Sequence, residues 1–170
     1  MPREVDMTST AVEKGSKAAP DAAVHIKRIL VPFDFGDPAA HALDFAQKLA
    51  PNFGASVEAL YVVAHMPNAV LPIPELGAIP TAMPSVDEMV EDAKTRLHEA
   101  LAAEDTRHRY LRKTVKVGDP RAQILAHAAV EGVDLIVMGT HGRTGATRFL
   151  LGSVAERVVR EAPCPVLTIH

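Results

Sequence analysis

The chain has 170 residues, with 18 Lys and Arg against 21 Asp and Glu and a formal net charge of -3. That balance, with no tryptophan, supplies neither a basic footprint nor stacking platforms, so nucleic acid is not an expected partner. The one cysteine, Cys164, excludes an internal disulfide and a CxxC pair, which suits a reducing cytoplasm, and no apolar run approaches a membrane span.

The 48% hydrophobic share is enough for the core of one domain. Residues 1–24 mix charges with small side chains and hold no apolar h-region. They read as a flexible tail and not as a secretory signal. The domain is expected over 25–170, opening on "IKRILVPFDF", a strand centred on Ile29, Leu30 and Val31. A helix follows in "GDPAAHALDFAQKLAPNFG", with Asp37 as its cap and Pro38 in its first turn. Its apolar face is Ala39, Leu43, Ala46, Leu49 and Phe53.

"ASVEALYVV" is the second strand. From Ala64 to Pro84 the chain breaks its rhythm with five prolines, at 67, 72, 74, 80 and 84. This loop 64–84 carries enough apolar residues to be a lid or a docking arm, and a variable insertion without a role is the alternative. The second helix opens on a capping box, Ser85 with Glu88, and its stripe is Val86, Met89, Val90, Ala93, Leu97, Ala100 and Leu101. The strand "KTVKV" precedes a third helix with the same Asp-Pro opening, at Asp119 and Pro120. "VDLIVMG" is apolar enough to be covered on both faces. The last helix, "SVAERVVREA", has a candidate capping box in Ser153 and Glu156, and "CPVLTIH" is the final strand. Five strands alternating with four helices predict parallel strands joined by right-handed crossovers. The fold class is therefore α/β, a doubly wound open parallel five-stranded sheet with helices on both faces, and the strand order expected for it is 3-2-1-4-5.

In such sheets ligands sit outside the C-terminal strand ends where the order reverses. There the ends of "PFD" (Pro32 to Asp34) and of Met138–Gly139 would meet the run "GTHGRTGATRFLLGS". Backbone N–H groups of Gly139 to Gly145 could wrap an anion, and the helix start at Ser153 would add donors. The spacing is neither G-x-G-x-x-G nor a P-loop. On the residues alone, a phosphate site and an ordinary glycine-rich turn both remain open. His141 can orient the loop as readily as touch phosphate, Arg143 can be a solvated cation, Ser153 a plain N-cap and Asp34 a turn-former. The other histidines show no metal-ligand spacing, and Cys164 reads as a small core residue.

"GTHG", nine residues, then "GS" resembles the G-x-x-G-x9-G-[ST] pattern of ATP-binding members of the universal stress protein family. "KRILVPFDFGDPAAHALDFAQKLA" resembles that family's opening strand and helix. "VKVGDPRAQILAHAAVEGVDLIVMGTHGRTG" and "LLGSVAERVVREAPCPVLTIH" resemble its closing half. The resemblance implies an ATP site, with Mg2+. Pro32 and Asp34 would border the adenosine, Val62 would pack on adenine, and Met138 would form pocket wall. Gly139, Thr140, His141, Gly142, Arg143 and Gly145 would surround the phosphates, closed by Gly152, Ser153 and Val154. No protein metal ligand is assigned, although Asp34 could approach a phosphate-bound Mg2+. Gly36 departs from the serine that often follows "DF" in the family, a change that touches a helix cap that Asp37 could replace.

Three function classes fit: a regulatory ATP binder with little or no turnover, an ATP-using enzyme or slow ATPase, and a dimeric scaffold with an empty pocket. The strand-one loop "PFDFGD" lacks the serine-glycine-glycine run of related adenylating enzymes. No carboxylate–histidine pair stands out as a general base, so no catalytic residue is assigned. The intact glycine spacing speaks against the empty scaffold. The last strand, Val166 to Ile169, has no charge to discourage edge pairing and is expected to form a homodimer interface, as the resemblance also implies.

Overall fold

Successive strand residues point to opposite faces of a sheet, and the first strand of this chain is apolar on both. In the computed structural model, which describes residues 24–64, 84–102, 111–140 and 151–170, this strand is β1 (Arg28–Pro32). Ile29 and Val31 pack into one core with helix α1 (Asp37–Phe53) and the end of α2 (Val86–Ala100). Leu30 packs into a second core with α3 (Pro120–Glu131) and α4 (Ser153–Glu161). The other strands are β2 (Ser56–Val63), β3 (Leu111–Val117), β4 (Leu135–Gly139) and β5 (Val166–Ile169). All pairings are parallel and the order is β3-β2-β1-β4-β5. The expected doubly wound sheet is the observed one. The proline-rich stretch 65–83, the tail 1–23 and the loop 141–150 lie outside the described residues.

Helix ends differ from the expected ones by single residues. The N-cap of α1 is Gly36, without a side-chain cap bond, and Asp37 is already the first helical residue. Asp37 therefore does not cap; as an acid in the first turn it acts on the helix dipole. The capping box expected of Ser153 and Glu156 is also absent, because Gly152 holds the cap position of α4 and Ser153 lies inside. By contrast, Ser85 and Glu88 form their box (3.2 and 2.7 Å), and Asp119 Oδ1 accepts from Ala122 N at 3.0 Å.

The apolar stripes are shorter or shifted. In α1, Ala42, Gln47 and Ala50 are buried with Ala39, Leu43 and Ala46, while Leu49 and Phe53 are half-buried. In α2 only Ala93 and Leu97 are buried, with Leu101 just beyond; Val86 and Ala100 are exposed. Strand β3 starts two residues before the expected "KTVKV". Cys164 is half-buried against the second core, and burial, followed by the charge of Asp134, pushes its thiol pKa up.

A charged residue of β2 is built into the second face. Glu58 is 7% exposed and accepts from Thr114 Oγ1 at 2.6 Å and from Arg112 at 2.8 Å on β3. His127 Nε2 of α3, also buried, stands 3.0 Å from Glu58 Oε1, the oxygen that accepts from Thr114. Arg112 reaches on to Glu131 at 3.0 Å, so one network ties α3 to the β2–β3 pair. Burial raises the Glu58 pKa, but the bonds from Thr114 and Arg112 and the positive charge of His127 and Arg112 outweigh it. The net direction is downward from 4.5.

A carboxylate depressed in the folded state contributes stability in full above its unfolded value and loses it as pH falls through the folded value. Glu58→Gln should cost roughly 1–3 kcal/mol at pH 7. The gap to the unsubstituted protein should narrow as urea denaturation is repeated below about pH 4.5. An equal gap at pH 7 and in strong acid would show that the charge of Glu58 contributes nothing.

Candidate functional site

The sheet opens where β1 leaves β4. The two pair through Ile29↔Leu135 and Leu30↔Ile136, whereas β1 stays with β2 through Pro32↔Leu60 and the bond from Phe33 N to Leu60 O at 2.8 Å. Backbone groups of alternate residues face opposite neighbours. Phe33 N faces β2, and Arg28 O accepts from Asp134 N on the β4 side. The nitrogen of residue 32 therefore faces β4, and as a proline it has no N–H to give. A crevice results at the position where the strand order reverses.

The crevice is a cleft of about 320 Å³, the lower range of ligand pockets. Nine of the thirteen residues expected at the site line it. Pro32 and Asp34 follow β1, and Val62 comes from the end of β2. Met138 and Gly139 end β4 and Thr140 follows it, while Gly152, Ser153 and Val154 open α4. The other four, His141, Gly142, Arg143 and Gly145, lie outside the described residues. Leu60, Tyr61, Pro120, Ile124 and Ala155 complete much of the wall. Sequence reasoning missed these five, although Ile124 lies on the buried face of α3 and Pro120 sits beside a recognised cap.

Each wall has a local cause. Asp34 Oδ1 accepts the Gly36 N–H at 3.0 Å, so the carboxylate forms the turn into α1 and also lines the cleft. Both readings of Asp34 are compatible with that position. A Cβ on Gly139 would lie 2.7 Å from Pro38 Cβ and 2.8 Å from its backbone carbon. This glycine is thus explained by the close approach of α1, before any ligand is considered.

Thr140 is buried and braces the far side. Its N–H reaches Ile169 O at 3.0 Å, and its oxygen accepts from Gly152 N at 2.8 Å. Its hydroxyl lies 3.0 Å from His170 Nδ1. These bonds bring the end of β4, the start of α4 and the end of β5 together. At α4 the N-cap is Gly152 with no side-chain cap bond. The first N–H groups of this helix lack intrahelical acceptors, and Ser153 and Val154, which carry two of them, line the cleft. That end favours negative charge.

Fold and site together define a doubly wound α/β protein with a ligand-sized cleft at its topological switch point. The model of the universal stress protein family matches residues 25–170. The chain belongs to that family. It is 35% identical over 154 residues to a universal stress protein of Methanocaldococcus jannaschii, covering 84% of this chain and 81% of the relative. Universal stress protein YxiE of Bacillus subtilis is 32% identical over 150 residues, covering 84% and 98%. Universal stress protein UspA from Lactobacillus plantarum superposes with a TM-score of 0.68 at 27% identity, covering 86% and 99%. A universal stress protein solved in complex with cAMP gives 0.62 at 21% identity, covering 85% and 97%. One from Archaeoglobus fulgidus in complex with dAMP gives 0.59 at 21%, covering 86% and 99%; at such identity these two speak to the fold.

Proposed function

We propose that this chain is a regulatory ATP binder of the stress-response type, which holds or senses the nucleotide with little or no turnover. The observation that carries this reading is convergence: three segments far apart in sequence meet around one cleft, opposite an uncapped helix start. Adenine would lie between Val62 and Met138, Asp34 would accept from base or ribose, and the phosphates would reach Gly152, Ser153 and the loop from Gly139 to Gly145. The cAMP and dAMP complexes of the two fold relatives support an adenine nucleotide as the class. Among the described residues no three His, Cys, Asp or Glu side chains gather as a metal site. Mg2+ would arrive on the phosphates, where Asp34, the one carboxylate among the described lining residues, could approach it.

Calorimetric titration with MgATP tests the site. Gly142→Val should abolish binding with the fold intact. Ser153→Ala should weaken it by roughly 1–3 kcal/mol, about ten- to hundredfold in affinity. Undiminished affinity in the glycine variant would contradict the assignment.

The same reading includes a homodimer. Strand β5 is an edge of the sheet, bonded on one side to β4 through Ile136↔Val166 to Gly139↔Ile169. Among the described residues no strand pairs with its other side, to which a second copy can add its own β5 antiparallel about a two-fold axis. Light scattering at low micromolar concentration should give the mass of two chains, and Thr168→Lys should shift it towards one. A stable monomer of the unsubstituted chain would rule the interface out.

A further inference from the structure

Among the described residues, Phe35 is the one non-glycine with a left-handed backbone, at φ 67°. That region disfavours side chains and is ordinarily given to glycine. A conformation of this kind persists only where its surroundings over-determine it, and such positions cluster at ligand sites. Here three contacts from three parts of the chain act on one ring. Phe33, just past β1, meets it edge-on, with centroids 5.4 Å apart and planes at 74°. Tyr61 of β2 does the same at 4.7 Å and 69°. From α2, the Arg96 guanidinium carbon sits 5.0 Å from the ring centroid, a cation–π contact.

The ring packs against the α1–α2 core, and Phe35 does not itself line the cleft. Its neighbour does. The reversal at residue 35 brings the Gly36 N–H back onto Asp34 Oδ1 at 3.0 Å, and Asp34 lines the cleft. We propose that Phe35 is a positioning residue: the clamp on its ring holds the left-handed turn that presents the Asp34 carboxylate to a bound adenine nucleotide. The nucleotide part rests on the function proposed above, and the turn itself can be read without any ligand.

Two measurements on the full-length protein test this. In the ligand-free protein, the Gly36 amide resonance should move with protonation of Asp34 during an acid titration followed by NMR. Phe35→Ala should abolish that response while the rest of the spectrum stays folded. In MgATP calorimetry, Phe35→Ala should weaken binding about tenfold, as expected when one oriented hydrogen-bonding group is lost. Added to Asp34→Asn it should cost little more, because both act through one carboxylate. Should Phe35→Ala not fold, Phe35→Leu keeps apolar bulk without the ring contacts and carries the same expectations at smaller size. A plain packing role would lower the melting temperature and leave the Gly36 response and the affinity alone. That result, or full additivity with Asp34→Asn, would overturn the proposal. If the unsubstituted protein takes up no ATP, the nucleotide reading fails by itself, and the Gly36 response still decides the role of Phe35.

Discussion

A missing hydrogen-bond donor organises this molecule. Pro32 ends the central strand at the point where its nitrogen faces β4, and pairing with β4 has already stopped at Leu30. Both neighbours of β1 run parallel to it, and only one keeps company to the end. The backbone beyond Leu30 on the β4 side therefore has no continuous ladder, and the gap becomes the cleft. A residue with an N–H at position 32 could extend the ladder and narrow that gap.

Several residues that border the cleft are held by contacts made elsewhere. Gly139 lets α1 approach the end of β4, because any side chain there would collide with Pro38. Thr140 fastens the start of α4 to the ends of β4 and β5. On the other wall, the Glu58 network ties α3 to β2 and β3, and Ile124, one turn before His127, lines the cleft. A buried carboxylate that does not itself line the cleft thus helps to hold one of its apolar walls. Removing the Glu58 side chain would break its bonds from Thr114 and Arg112, so its effect would spread into the cleft.

How much of this the sequence disclosed depended on whether the cause was local. The β–α alternation, and with it the parallel sheet, followed from apolar runs and their spacing. The Asp-Pro and Ser-x-x-Glu openings of α3 and α2 were legible because each cap is decided within four residues. Asp37 and Ser153 were misplaced by one residue because glycines held the cap positions, and hydrophobic periodicity does not set the phase of a helix end. Glu58 and His127 are 69 positions apart, and nothing local to either announces the pair. The left-handed turn at Phe35 was equally hidden, since its ring contacts come from residues 33, 61 and 96. Nine of the expected site residues meet at the cleft: the glycine run after an apolar strand marked its rim, and the family resemblance supplied others, Val62 and Val154 among them. The wall supplied by α3 escaped because Ile124 looks like any core residue.

An adenine nucleotide is the occupant we propose for the crevice beside Pro32. Native mass spectrometry of the purified, full-length protein tests it most directly, because mass identifies the ligand and counts it per chain. The expected result is an adenine nucleotide, one per chain, carried through purification or taken up on addition of MgATP and displaced by Gly142→Val. A chain that arrives empty and gains no mass at saturating MgATP would contradict it.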